Sequence, residues 1–276
     1  MPMNKTMSET LSLTFLGDMS PKKASADEPL VFLHGLGGTT RYWTCMLDRA
    51  PLGRPAIFVD LLGFGDSPRP WCRYTVDRHI ATLHNSLASL GPITLIGHSL
   101  GAALALIYAS RYPEQVRSLV LISLPCFHDK KRASKWFRHM PGGWIFTNMV
   151  IAALVCMFTR RVIGHLLPLI LTDYPREVAE DLVKHNAMSS ITSLWNILYR
   201  RDLTNDAQEI SPNIDVLCIH AIDDDTAPYA ETAALVGKME NWKIRQIDGA
   251  RHHPWLLNTQ ACLEAIKDFC DRRRAP

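Results

Sequence analysis

Short runs of consecutive apolar residues alternate along the chain with longer stretches whose apolar positions recur every three or four residues. PLVFLHG (29–35), PAIFVDL (55–61), ITLIGHS (93–99), VRSLVLIS (116–123), VLCIHAI (216–222) and KIRQID (243–248) read as strands. Helices are expected near 41–50, 75–90, 100–111, 228–239 and 258–272. Residues 8–16 partly alternate and predict an edge strand, and the polar stretch 17–29 follows them. Strands that are apolar throughout must be covered on both faces, and strands separated by helices run parallel, so the pattern predicts a mostly parallel α/β sheet with helices on both sides. Such a sheet binds its ligands at the carboxyl ends of the strands.

Residues 126–210 interrupt the rhythm. They carry helix-like segments punctuated by Pro141, Pro168 and Pro175, and the simplest arrangement is a helical cap over the ligand edge, with 1–125 and 211–276 forming the core domain. The most apolar window, Trp144 to Phe158, contains Thr147 and Asn148 and falls short of the roughly 20 residues a membrane span needs, so a buried or interfacial helix is expected there. Trp144, Phe146, Met149 and Leu166 are the candidates from this region for lining a lipophilic pocket. Lys130, Lys131, Arg132, Lys135 and Arg138, set around Trp136 and Phe137, offer a basic surface for an acyl carrier protein or an anionic membrane, against the plainer reading of a solvated helix face.

Composition adds boundaries. With 276 residues, 47% hydrophobic and 21% charged, the chain can bury a large core. Its net charge of +3, without a long basic stripe, argues against nucleic acid as a partner. Seven cysteines, at 45, 72, 126, 156, 218, 262 and 270, form no CxxC pair and no metal-ligand spacing, so core thiols and no metal are expected. The N-terminal segment lacks the apolar run of a secretory signal, and the expected location is cytoplasmic.

The chemistry concentrates where strands end. Gly97-His98-Ser99-Leu100-Gly101 fits G-x-S-x-G at a strand-to-helix junction, a turn that thrusts the serine hydroxyl outward. A serine hydroxyl is a weak nucleophile and needs a histidine base oriented by a carboxylate. Asp223, Asp224 and Asp225 follow one strand, and His252 and His253 follow the next. Pro254 restricts His253 to extended backbone, which favours His252. Gly35, Gly37 and Gly38 are followed by no Lys-Ser/Thr pair, so a phosphate cradle is disfavoured.

At these residues the chain resembles the α/β-hydrolase superfamily over 29–270 apart from the insertion. His34-Gly35 resembles the oxyanion loop, Gly63-Phe64-Gly65-Asp66-Ser67 the loop after the next strand, AIDDDTAP the segment bearing the acid, and GARHHPWL the segment bearing the base. The match has Ala221 and Arg251 where glycine is usual. The resemblance implies an α/β-hydrolase fold with Ser99 as nucleophile, Asp224 as acid, His252 as base, and the backbone N–H groups of Leu36 and Leu100 as oxyanion donors. It implies no metal or organic cofactor, and a small-molecule carboxylic ester or thioester with a largely apolar part as substrate. Two other readings stand beside it: a tailoring or carrier-protein-directed hydrolase doing acyl transfer, acyloxy elimination or C–C cleavage, and a non-catalytic ligand-binding protein on the same fold.

Overall fold

The computed structural model describes residues 9–17, 28–49, 51–139 and 142–272. Seven strands form a single sheet: β1 (Leu13–Leu16), β2 (Leu30–Leu33), β3 (Ala56–Val59), β4 (Ile93–His98), β5 (Val116–Ile122), β6 (Asp215–His220) and β7 (Trp242–Gln246). Their order is β1-β3-β2-β4-β5-β6-β7, with β1 antiparallel to β3 and the other pairs parallel.

The two-residue period of a strand divides the apolar runs between two cores. Val31, Leu33, Ile57, Val59, Leu95, Leu119 and Leu121 face one, while Leu30, Phe32, Phe58, Ile96, Val120 and Ile219 face the other. α1 (Arg41–Thr44) and α12 (Thr259–Arg272) cover the second face, and α2 (Val76–Leu87) and α3 (Leu100–Arg111) the first. α3 is apolar on every side from Leu100 to Ala109 because it is buried all round. α10 (Tyr229–Val236) follows β6, and the short α11 (Pro254–Leu257) precedes α12.

Between β5 and β6 the described chain is helical: α4 (Lys130–Arg138), a 3₁₀ turn (Gly143–Thr147), α5 (Met149–Phe158), α6 (Leu167–Ile170), α7 (Arg176–Asp181), α8 (Ala187–Ser193) and α9 (Leu203–Gln208). Its later part is tied closely to the sheet. Buried Asp181 accepts from Arg41 Nε at 2.7 Å, from Lys184 Nζ at 2.8 Å and from the Thr39 hydroxyl. Ser189 Oγ donates to the Gly63 carbonyl at 2.9 Å, and a Cβ on Gly63 (φ +90°) would collide with Ser189 and Tyr74, so only glycine fits there.

One expectation needs correction. Thr147 and Asn148 precede the apolar helix instead of interrupting it, and Asn148 caps its start by accepting from the N–H groups of Val150 and Ile151. The helical run continues through a π turn (Thr159–Ile163) and a 3₁₀ turn (Gly164–Leu166) to Ile170, because Pro168 falls where the last segment begins and costs no interior hydrogen bond. The result is a run of 22 residues, long and apolar enough to cross a membrane, in which an 18-residue window has a mean hydropathy of 1.7 and is 11% buried. It is not a core helix.

Candidate active site

The carboxyl ends of β2, β4, β6 and β7 bring the chemistry-bearing loops to one edge of the sheet. Ser99 sits between β4 and α3 at φ +52°, a conformation that strains an L-residue by about 1–3 kcal/mol. Its N–H donates to the Ile122 carbonyl at 2.9 Å, which fixes the turn to the neighbouring strand. A Cβ at Gly97 would strike the Gly101 carbonyl, and one at Gly101 would strike the carbonyls of Leu33 and His34. Both glycines are therefore required by close backbone approach.

Ser99 Oγ lies 3.0 Å from His252 Nε2, and His252 Nδ1 lies 2.9 and 3.0 Å from the two oxygens of Asp224. A carboxylate only accepts, so Nδ1 carries the proton and Nε2 presents its lone pair to the serine hydroxyl. Asp224 Oδ1 also accepts from the N–H groups of Thr226 (2.9 Å) and Ala227 (2.7 Å). His220, fully buried at the end of β6, places Nε2 3.2 Å from Asp224 Oδ2. Burial acts to raise the Asp224 carboxyl, but His252 and the hydrogen bonds from His220 and His252 outweigh it and hold the group well below the usual carboxylate range.

The neighbouring acids are engaged elsewhere. Asp223 accepts from the Arg251 N–H at 3.3 Å, and Asp225 accepts from the Thr226 hydroxyl at 3.0 Å. Arg251 adopts φ +44°, which explains why glycine suits this position, and its guanidinium lies 3.6 Å from Asp173. His253 is packed beside Tyr42, Tyr174 and His98 and does not bridge Ser99 and an acid. Burial, reinforced by His252, pushes it down to about 3.

His34 shapes the loop after β2: Nδ1 donates to the Gly35 carbonyl at 2.7 Å, and Nε2 accepts from the Leu61 N–H at 3.0 Å. Asp60 joins that loop to the one after β3 by accepting from the N–H groups of Thr40 (2.7 Å) and Asp66 (2.8 Å). Leu36 lines the cavity beside Ser99, and Leu100 opens α3, where the first N–H groups have no acceptor within the helix.

A cavity of about 330 Å³ opens on Ser99 and His252. Its apolar wall is built by Leu36, Tyr42, Pro125, Phe127, Phe137, Val178, Leu182, Leu194 and Leu198. Of the pocket residues expected from sequence, Trp144, Met149 and Leu166 are not part of it. Trp144, Met149 and Leu166 are exposed because their helical stretch rests on the body by a narrow strip, and the Phe146 side chain lies outside the described positions. Phe137, embedded in the basic cluster, turns inward instead. Its signal was the apolar stripe of α4, which the flanking charges obscure. His220 had a signal too, as a histidine closing a buried strand four residues before Asp224.

A family profile described as alpha/beta hydrolase fold matches residues 28–258. The chain is 34% identical over 126 residues to "Probable lysophospholipase BODYGUARD 1" of Arabidopsis thaliana, covering 42% of this chain and 27% of that protein. It is 38% identical over 100 residues to "(Lyso)-N-acylphosphatidylethanolamine lipase" of Mus musculus, covering 34% of this chain and 29% of that protein. The matches thus span less than a third of either relative's length. In fold it is similar to E-2-(acetamidomethylene)succinate hydrolase, with a TM-score of 0.72, 18% identity and 95% of each chain covered.

Proposed function

The chain belongs to the alpha/beta hydrolase fold family, and from that premise we propose that it is a serine hydrolase cleaving a carboxylic ester or thioester with a largely apolar acyl or alcohol part. The observation that carries the reading is the relay from Asp224 through His252 to Ser99, with spacings of 2.9 and 3.0 Å, at the floor of an apolar cavity. The partial relatives, named for a lysophospholipase and a phospholipid lipase, favour an acyl chain as the apolar part.

In this mechanism His252 Nε2 removes the Ser99 proton as Oγ attacks the carbonyl carbon. The N–H groups of Leu36 and Leu100 donate to the oxygen that gains charge, and the helix beginning at Leu100 directs its positive end at the same point. The tetrahedral intermediate collapses as protonated His252 passes its proton to the departing alcohol or thiol oxygen or sulfur. A water then gives a proton to His252 and adds to the acyl-enzyme, and the serine leaves reprotonated by His252 as the acid departs. Asp224 keeps His252 in the tautomer this sequence requires, and His220 holds Asp224 in turn.

The test is hydrolysis of p-nitrophenyl esters of graded chain length together with labelling by a fluorophosphonate. The expected result is Ser99 as the labelled residue and both signals lost in Ser99→Ala. A folded protein that neither hydrolyses any ester nor labels at Ser99 sinks the proposal and favours a ligand-binding role for the cavity.

A further inference from the structure

We infer that the helical stretch 149–170 docks the protein in the plane of an anionic lipid bilayer. The stretch touches the body along one strip of every fourth residue. Ala152 is buried, Cys156 Sγ is 3.4 Å from His185 Nε2, Arg160 Nε donates to the Val183 carbonyl at 3.1 Å, and Gly164 packs on Val183. Away from the strip the surface is apolar except for exposed Arg161 and His165: Val150, Leu154, Phe158, Val162, Leu169 and Ile170 are all exposed, Leu169 by 74%. Large apolar side chains left bare along one helical stretch mark an interaction site.

Charge identifies the partner. From residue 130 to residue 172 the chain has seven cations, Lys130, Lys131, Arg132, Lys135, Arg138, Arg160 and Arg161, and no carboxylate, although the whole chain carries only +3. The 3₁₀ turn Gly143–Thr147 packs against both α4 and α5 and so keeps the basic helix beside the apolar one. Among the described residues Lys130, Lys131, Lys135, Arg138 and Arg161 have no ion-pair partner. An apolar surface rimmed by unneutralised cations complements acyl chains beneath anionic headgroups.

Topology fixes the orientation. β5 and β6 pair side by side in one sheet, Ser118 opposite Asp215, so the chain that leaves after β5 must return on the same side. Among the described residues this is the one helix long and apolar enough to cross a bilayer, and nothing comparable brings the chain back. The helix therefore lies along the interface, its bare face sunk about 5–10 Å into the boundary of headgroups and acyl chains.

The test is cosedimentation of the full chain with extruded vesicles of phosphatidylcholine alone or mixed 7:3 with phosphatidylglycerol. Binding at least tenfold tighter to the mixed vesicles, weakened by salt, is expected, and the triple variant L154D/F158D/L169D should lose at least tenfold of it. Circular dichroism and thermal melting verify that the variant folds, and Trp71→Asp, which removes an exposed aromatic outside the helix, should bind as the parent does. Ser99→Ala should also bind unchanged, so failure of the hydrolase reading and failure of this one are distinguishable. No binding by the parent, or undiminished binding by the folded triple variant, overturns the inference. So does a dimer that Phe158→Asp dissociates in the absence of vesicle binding, or capture of an acyl carrier protein by the same face without vesicle binding.

Discussion

His98 Nε2 lies 2.7 Å from the backbone carbonyl oxygen of His252. The carbonyl accepts, so His98 is protonated at Nε2, and its Nδ1, buried without a partner, is the bare nitrogen of a neutral ring. Burial first, and then His252 and His253, push its protonation well below the ordinary histidine range, and Tyr42 stacks on the ring at 4.6 Å. The residue before the serine thus holds the backbone of the histidine that faces the serine. His98→Phe preserves the stack and removes the bond, and at about 1–1.5 kcal/mol for a lost hydrogen bond it should lower kcat roughly five- to tenfold with KM unchanged. Steady-state kinetics on a short-chain ester check this split, and a rise in KM with kcat intact would contradict it.

Of the three consecutive acids, Asp224 alone contacts His252. Asp224→Asn can donate to Nδ1 and so favours the wrong tautomer, and kcat should fall by about 10³–10⁴-fold. Asp223→Asn and Asp225→Asn keep the relay intact and should stay within about threefold of the parent, since surface loop changes away from the chemistry are small. Ester hydrolysis by the three variants side by side decides the assignment.

Asp181 is a clamp, joining Thr39 and Arg41, which follow β2, to the helical insertion. Asp181→Ala leaves the donors around it without their acceptor and should destabilise the fold by about 2–4 kcal/mol. Urea denaturation measures the loss, and an unchanged midpoint would show that the clamp contributes no net stability.

Acid should destabilise the protein in two windows. Burial pushes His79 and His253 down to about 3 and His185 to about 4, whereas in the unfolded chain they protonate near 6.5. Between those values the unfolded state binds more protons, so each histidine removes about 1.4 kcal/mol of stability per unit fall in pH. Asp181 and Asp224 lie below their unfolded value of 3.8. Their contribution is complete above that value and is lost as pH falls through the folded ones. Melting temperature should therefore fall from pH 6.5 downward, and His79→Gln, which keeps a polar partner for Ser193 Oγ, should flatten the slope between pH 6 and 4. A slope identical to the parent's would remove His79 from the account.

The sheet was legible because its strands are short and bounded by breakers, and the inner ones from β2 to β6 are mostly apolar. Every run read as a strand lies in the sheet, and the order of serine, acid and histidine along the chain gave the loops to compare. Residue type alone left Asp223, Asp224 and Asp225 equivalent, because one residue's shift along a loop changes which carboxylate faces inward, and it was the resemblance that pointed to Asp224. The pocket was illegible for a related reason. A helix's apolar stripe reveals that a face wants cover but not which cover it finds, so exposed Trp144 and Leu166 read like lining, while Phe137 and Leu198 were hidden among charged and core positions.

The wall of the cavity comes from segments on either side of residues 149–170, and that stretch supplies none of it. The outward greasy surface is therefore one contiguous block of the chain, whereas the cavity wall is assembled from residues before and after it, from Leu36 to Leu198. Such a layout lets the block change without touching the wall. A chimera exchanging 149–170 for a polar helix of equal length, retaining the strip at 152, 156, 160 and 164, would alter the protein's address while sparing its selectivity.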